Sequence, residues 1–288
     1  MSKYPDPSQR IKSDLRRAGT RPRKRLGQNF LRNPAVVQKI ISAAELTPGD
    51  HVVEVGPGLG ILTRELVQHA GFVCAIELDG ELFNHLQREF KPAGNIKIIH
   101  GNILKLDLAE LLEGVSTYKV VANLPYNITS PVLYYFMQTP LKPRKMVIML
   151  QKEVADAIAA CEGNLSVLAI GLQIHARPSI IDYVPREDFF PVPKVDSAIL
   201  SLEFLDHPLI PPEKQSSFME LVRRGFRAPR KHLHNSLALG LNLKTAEIEV
   251  ILKEAGISPL CRPADLCLAE WQRLLNIMLP REVLGKTC

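Results

Sequence analysis

The residues Asn123-Leu124-Pro125-Tyr126 end the strand-like stretch 118–124 and carry groups able to do chemistry. The Asn123 amide oxygen and the Leu124 backbone carbonyl are adjacent hydrogen-bond acceptors. Pro125 fixes the turn that would hold them in place, and Tyr126 offers an aromatic face. An exocyclic amine on a planar base is a poor nucleophile, because its lone pair is delocalised into the ring. Two carbonyls accepting its N–H bonds would draw the nitrogen toward tetrahedral geometry and aim that lone pair. A tight turn without chemistry is the competing reading, and the neighbouring elements decide between them.

A second candidate lies at "VVEVGPGLG" (52–60), where Gly56, Gly58 and Gly60 fall between a strand and a helix. Glycine permits a tight turn and lets backbone N–H groups approach a ligand closely. Glu77 ends the next strand, where a carboxylate binds ribose hydroxyls. This pairing suits NAD or S-adenosylmethionine; the G-x-G-x-G spacing lacks the third glycine of G-x-G-x-x-G and leans away from dinucleotides. Asn102 follows the third strand. Ligands in an open parallel sheet bind beyond the carboxyl ends of its strands. Gly56, Glu77, Asn102 and Asn123 would therefore line one crevice. With S-adenosylmethionine there, Asn123 and Leu124 would aim a base amine at its methyl group.

The elements that must position these residues follow from periodicity. Stretches 51–56, 72–78, 95–101, 118–124 and 145–151 read as strands, with helices at 61–70, 80–90 and near 130–138. Alternating strands and helices, the strands apolar throughout, indicate an α/β fold with a parallel sheet covered on both faces. A helix at 166–176 precedes two more strands, 179–185 and 196–204, joined through the proline-rich "FFPVPK". After the prolines at 208, 211 and 212 only helical periodicity remains, so the best domain boundary lies there.

Composition narrows the partners. The chain has 288 residues, 46% of them hydrophobic, and a formal net charge of +6. No apolar run reaches the ~18 residues of a membrane helix, and the first residues hold no secretory h-region. Cys74, Cys161, Cys261, Cys267 and Cys288 show no metal-ligand spacing. Scattered and odd in number, they fit a reducing compartment, the cytoplasm, and read as inert packing residues. Arg10, Lys12, Arg16, Arg17, Arg21, Arg23, Lys24 and Arg25 form one basic cluster. Arg223, Arg224, Arg227, Arg230 and Lys231 form another. Each alone reads as a solvated face; two together favour a polyanionic partner, since counterion release drives binding to phosphates.

"NLPY" resembles the [DNS]-PP-[YFW] motif of adenine and amide N-methyltransferases, with Leu124 at the first proline position. With "KRLGQNFL" (24–31), "VVEVGPGLG", "VIMLQKEVA" (147–155) and "FFPVPKVDSAIL" (189–200), the chain resembles the ribosomal RNA adenine dimethyltransferase family, closest to the branch acting on small-subunit rRNA. The likeness runs from about Arg23 to about Leu275. It implies a Rossmann-like class I S-adenosylmethionine-dependent methyltransferase domain over 23–206 and a small all-helical RNA-binding C-terminal domain over 207–288. Residues 1–22 are left as a basic extension.

The implied reaction dimethylates N6 of two adjacent adenosines near the 3′ end of 16S rRNA, late in small-subunit assembly, by a monomer with no metal. Carried over, Asn29 and Leu31 cover the cofactor and Gly56 and Gly58 cradle it. Glu77 holds its ribose and Asn102 meets its adenine. Asn123 holds the target N6, with Leu124 and Pro125 completing the turn, and Tyr126 and Phe189 sandwich the flipped base. Arg23, Lys24, Arg25 and the second basic cluster bind RNA. The family usually has Asp where this chain has Asn102, which implies weaker cofactor binding. The loop 160–167 is shorter than the family's. Within the family the rival is a large-subunit rRNA methyltransferase; outside it, a non-catalytic RNA-binding assembly factor.

Overall fold

The computed structural model describes residues 7–281, which form two compact units. Cys288 and the first six residues of the basic extension lie outside the described residues. One unit comprises the chain up to Ala155 together with Arg177–Phe204; the other comprises Asp156–Ala176 and the chain from Leu205. Residues 156–176, assigned from sequence to the methyltransferase domain, thus cluster with the helical unit.

The first unit opens with α1 (Pro7–Arg17), β1 (Phe30–Leu31) and α2 (Pro34–Ala44). Asn33 caps α2 by accepting from the Ala35 N–H at 3.0 Å, and Pro34 occupies the first helical turn, where no N–H is needed. The alternation then follows as β2 (His51–Val55), α3 (Ile61–His69), β3 (Phe72–Glu77), α4 (Gly80–Glu89) and β4 (Ile96–His100). It continues through α5 (Leu108–Leu111), β5 (Lys119–Asn123), α6 (Thr129–Gln138) and β6 (Lys145–Gln151). After α7 (Lys152–Ile158) and α8 (Val167–Gln173), the chain returns as β7 (Ala176–Val184), β8 (Phe189–Phe190) and β9 (Ser197–Phe204).

These strands form a seven-stranded sheet in the order β4-β3-β2-β5-β6-β9-β7, and β1 pairs with β8. β2, β3, β4, β5 and β6 run parallel, while β9 is antiparallel to β6, with Ile148 opposite Leu200. Central strands buried on both faces cannot show polar alternation: Val120, Val121 and Ala122 are all fully buried. One face packs on α2 and α3 through Val37, Ile40, Leu62 and Leu66. Strand order reverses between β3 and β5 on either side of β2, which opens a crevice at the carboxyl ends of these strands. The continuous apolar runs in the sequence are these strands; α1 and α2 were not foreseen.

In the second unit α9 (Pro212–Gly225), α10 (Leu233–Leu241), α11 (Thr245–Glu254) and α12 (Leu268–Met278) pack with α8 around Trp271, Phe218, Leu237 and Leu274. α9 and α10 approach closely because Gly240 has no side chain: a Cβ there would lie 2.3 Å from the Arg224 carbonyl oxygen. Of the cysteines expected to pack inside, Cys74 is buried, and burial pushes its thiol up to about 11. Cys161 is exposed, so it is not a packing residue. Among the described residues no helix is long and apolar enough to cross a membrane.

Candidate active site

A cavity of about 510 Å³ opens at the carboxyl ends of β2, β3 and β5, within the size range of small-molecule sites. Its floor is the turn after β2, where Gly56, Gly58 and Gly60 have φ of +70°, +61° and +74°. A residue with a Cβ is strained in that region. At Gly58 a Cβ would also press to 3.3 Å from the Phe30 ring.

Glu77 ends β3 and is buried. Its Oε2 accepts from the Gly58 N–H at 3.0 Å and its Oε1 from the Asp79 N–H at 2.8 Å. Each carboxylate oxygen keeps a further lone pair for a ligand hydroxyl. Burial raises the Glu77 carboxyl, against the opposing pull of those two backbone bonds. Asn102 caps a 3-10 turn, its Oδ1 accepting from the Leu104 N–H at 3.1 Å. Its Nδ2 makes no hydrogen bond among the described residues. The amide oxygen expected to meet the cofactor's adenine thus already carries one bond and keeps its second lone pair for a ligand.

Asn123, Leu124, Pro125 and Tyr126 line the same cavity. The Leu124 N–H donates to the Met149 carbonyl at 3.0 Å, continuing the sheet's pairing one residue past β5. Asn123 donates through Nδ2 to the Asn29 carbonyl at 3.4 Å, which leaves its Oδ1 without a partner among the described residues. Pro125 lies next to the glycine turn: a side chain at Gly56 would meet it, its Cβ lying 3.5 Å from Pro125 Cδ. The two turns singled out in the sequence thus abut.

The segment 24–31 lies across both. Gly27 has φ of +65°, and a Cβ there would meet Asn127 Oδ1 at 2.6 Å; Asn127 Nδ2 donates to the Arg25 carbonyl at 3.3 Å. Asn29 and Leu31 line the cavity. Gln28 Nε2 donates to Asp79 Oδ2 at 3.1 Å, which fastens this strap to the N-terminus of α4.

Three expected roles meet a different geometry. Phe189, expected opposite Tyr126 across a base, is 1% exposed, packs in the core and does not line the cavity. Its pairing with Leu31 across the β1–β8 ladder holds it there. Arg23, expected on RNA, makes ion pairs of 3.0 Å with Asp79 and with Glu81. Arg224 is engaged with Glu220 at 2.7 Å. Lys24, Arg25, Arg223, Arg227, Arg230 and Lys231 are exposed.

Several cavity residues went unnoticed in the sequence. Leu78 and Ile103 bracket the Glu77 and Asn102 positions as apolar lining, and Leu78 is 49% exposed. Glu54, within β2, also lines the cavity; burial raises its carboxyl to about 8, opposed by the Thr63 hydroxyl and reinforced by the Glu77 charge. Arg10, Ile11 and Asp14 reach it from α1. The Ile11 and Leu15 spacing was a helical signal, but the surrounding charges masked it.

Comparison with known proteins bears on this geometry. The family model for ribosomal RNA adenine dimethylase matches residues 19–278. A "Ribosomal RNA small subunit methyltransferase A" of Dehalococcoides mccartyi is 44% identical over 254 residues, covering 88% of this chain and 87% of that protein. One of the same name from Geobacillus kaustophilus is 39% identical over 280 residues, covering 94% and 96%. The crystal structure of the 23S rRNA methyltransferase ErmE is 28% identical with a TM-score of 0.71, covering 86% of this chain and 99% of that one. A dimethyladenosine transferase structure from Plasmodium falciparum, 24% identical with a TM-score of 0.73 and covering 88% and 98%, shares the fold.

Proposed function

This chain belongs to the ribosomal RNA adenine dimethylase family, and from that premise we propose that it dimethylates N6 of two adjacent adenosines in the 3′-terminal hairpin loop of 16S rRNA. It is an rRNA adenine methyltransferase of Rossmann-like fold and uses S-adenosylmethionine. The cavity fits that cofactor. It has the volume, a glycine turn free of side chains, and a buried carboxylate with lone pairs to spare at the ribose position. When bound there, the cofactor supplies an electrophilic methyl group on a sulfonium.

The chain's own residues do the rest. Asn123 Oδ1 and the Leu124 carbonyl accept the two N6 hydrogens, localising the lone pair on nitrogen. Pro125 holds both acceptors before substrate arrives, so no reorganisation is needed at the moment of transfer. The Tyr126 ring stacks on the adenine once it leaves the RNA. No general base is required, because a methylated exocyclic ammonium releases its proton readily to water. One observation carries this reading: Gly56 and Glu77 of the cofactor turn and Asn123 to Tyr126 of the acceptor turn line one cavity.

The substrate is the immature small subunit, met by a monomer in the cytoplasm. The helical unit contributes RNA contacts through Arg223, Arg227, Arg230 and Lys231, and Lys24 and Arg25 add more. The match to the 23S enzyme ErmE supports the alternative of a large-subunit adenine, but the full-length relatives at 39–44% identity carry small-subunit names. The test is transfer of labelled methyl from S-adenosylmethionine to unmethylated small subunits, with primer extension on both rRNAs. Two adjacent stops in 16S rRNA, lost in Asn123→Ala while RNA binding persists, are expected. Stops in 23S rRNA alone would transfer the activity to the other subunit.

A further inference from the structure

We propose that α1, which precedes the region matched by the family model, is a working part of the cofactor site in this chain. The match begins at residue 19, and α1 spans Pro7–Arg17. The sequence alone presents this segment as a charged tail. In the structure its apolar positions Ile11 and Leu15, followed by Ala18, are buried against Phe30, Leu59 and Leu82. Each of those partners sits beside residues of the cofactor site. Phe30 stands between Asn29 and Leu31, Leu59 between Gly58 and Gly60, and Leu82 in the first turn of the helix capped by Asp79. One helix therefore joins the three segments that must come together around the cofactor.

The helix is built to end where it docks. Gly19, at φ +70°, donates its N–H to the Arg16 carbonyl at 3.1 Å, and the Thr20 N–H reaches the Leu15 carbonyl at 3.0 Å. This glycine stop satisfies the last carbonyls, and Arg16 and Arg17 complement the helix dipole there. Ile11 and Asp14 also line the cavity. The Asp14 side chain is 14% exposed, and its ion partner Arg17, at 3.7 Å, is 73% exposed. A solvated phosphate-binding tail would need neither the buried apolar face nor a shielded carboxylate turned to the cavity. Few apolar side chains anchor an eleven-residue helix, so its docking is finely balanced against the cost of ordering it. A ligand filling the cavity beneath shifts that balance toward the docked form.

The inference rests on the cavity being the S-adenosylmethionine site, and calorimetric titration of the full-length protein with S-adenosylhomocysteine tests both. Binding by the wild-type chain supports the cavity reading; no binding overturns that reading and this inference with it. Leu15→Asp is expected to raise Kd by about tenfold or more, and Asp14→Ala by about threefold, while affinity for the 16S hairpin changes less than about twofold. Cofactor affinity equal to wild type in folded Leu15→Asp overturns the proposal. Loss of hairpin affinity alone assigns the helix to RNA instead and also overturns it. If Leu15→Asp does not fold, the Ile11→Ala/Asp14→Ala double variant decides: an unchanged Kd overturns the proposal.

Discussion

The Tyr126 hydroxyl lies 2.7 Å from Ser197 Oγ, joining the acceptor turn after β5 to the first residue of β9. Ser197 is fully buried and sits opposite Gln151 in the β6–β9 ladder, so the sheet fixes one end of this bond. The other end anchors the tip of the Tyr126 ring. With Tyr126 stacking on the base as proposed, Ser197 is expected to act as a positioning residue for that ring.

Removing the Ser197 hydroxyl frees the tip of the ring to swing away from the proposed stacking position. A hydrogen bond of this kind contributes about 1 kcal/mol net, which is several-fold in rate. Ser197→Ala is expected to lower kcat several-fold with little change in KM for the small subunit. Ser197→Thr should recover most of the loss. Tyr126→Phe should match Ser197→Ala, and the double variant should be no worse than either, which steady-state methyl transfer measures in a double-mutant cycle. Additive losses would mean the two residues act separately.

Arg23 is expected to behave as a structural residue, not as an RNA contact. It pairs with Asp79, whose side chain is fully shielded and also caps α4 and accepts from Gln28. Arg23→Ala leaves that carboxylate short of a partner, at a cost of about 1–3 kcal/mol in stability. It should also loosen the strap 24–31 and weaken cofactor binding. Salt dependence separates it from the exposed arginines. Arg227→Ala should lower the slope of log K against log salt by about 1, whereas Arg23→Ala should leave it unchanged. A lower slope in Arg23→Ala would return this residue to the RNA interface.

The contrast between these residues shows what a sequence makes legible. Gly56, Glu77 and Asn123 were readable because each stands at the end of a buried strand, which announces itself as an apolar run, and Asn102 because it follows the half-exposed edge strand β4, still rich in isoleucine. Arg23 and Phe189 were not. The charge of Arg23 is visible, but its partner Asp79 is supplied by the fold. Phe189 is buried by a ladder of two residues per strand, too short to leave any periodicity. The helix α8 joined the second unit for a similar reason. Prolines mark where the chain last leaves the sheet, and nothing in composition marks its earlier excursion at Asp156–Ala176. In α1 the charges outnumber the two anchoring aliphatics, so composition pointed to solvent while packing points to the cavity.

Glu54 is expected to make stability fall as pH rises. Burial lifts its carboxyl from 4.5 to about 8, so between those values the folded chain keeps a proton that the unfolded chain has lost. Stability then falls with pH by at most about 1.4 kcal/mol per unit through this window. Glu54→Gln carries no titrating proton and still accepts from Thr63. The variant should gain about 2 kcal/mol or more relative to wild type between pH 5.5 and pH 8, read by urea denaturation of the cofactor-free protein. The same difference at both pH values would show that Glu54 does not titrate in this range.

Asn102→Asp is expected to tighten cofactor binding. The single Asn102 oxygen accepts from the Leu104 N–H, and the amide nitrogen beside it can only donate. An adenine exocyclic amine also donates, so only the second lone pair of the already bonded amide oxygen is left to receive it. A carboxylate at this position can spend one oxygen on the Leu104 cap and present the other to the amine, and its charge strengthens both bonds. The gain should be about 1–2 kcal/mol, or roughly tenfold in Kd for S-adenosylhomocysteine by calorimetry. An N6,N6-dimethylated adenosyl analogue has no hydrogen to donate, so Asn102→Asp should give it no such gain. Equal tightening of both ligands would place the effect in general electrostatics rather than at the amine, and no tightening of either would remove Asn102 from the cofactor contacts.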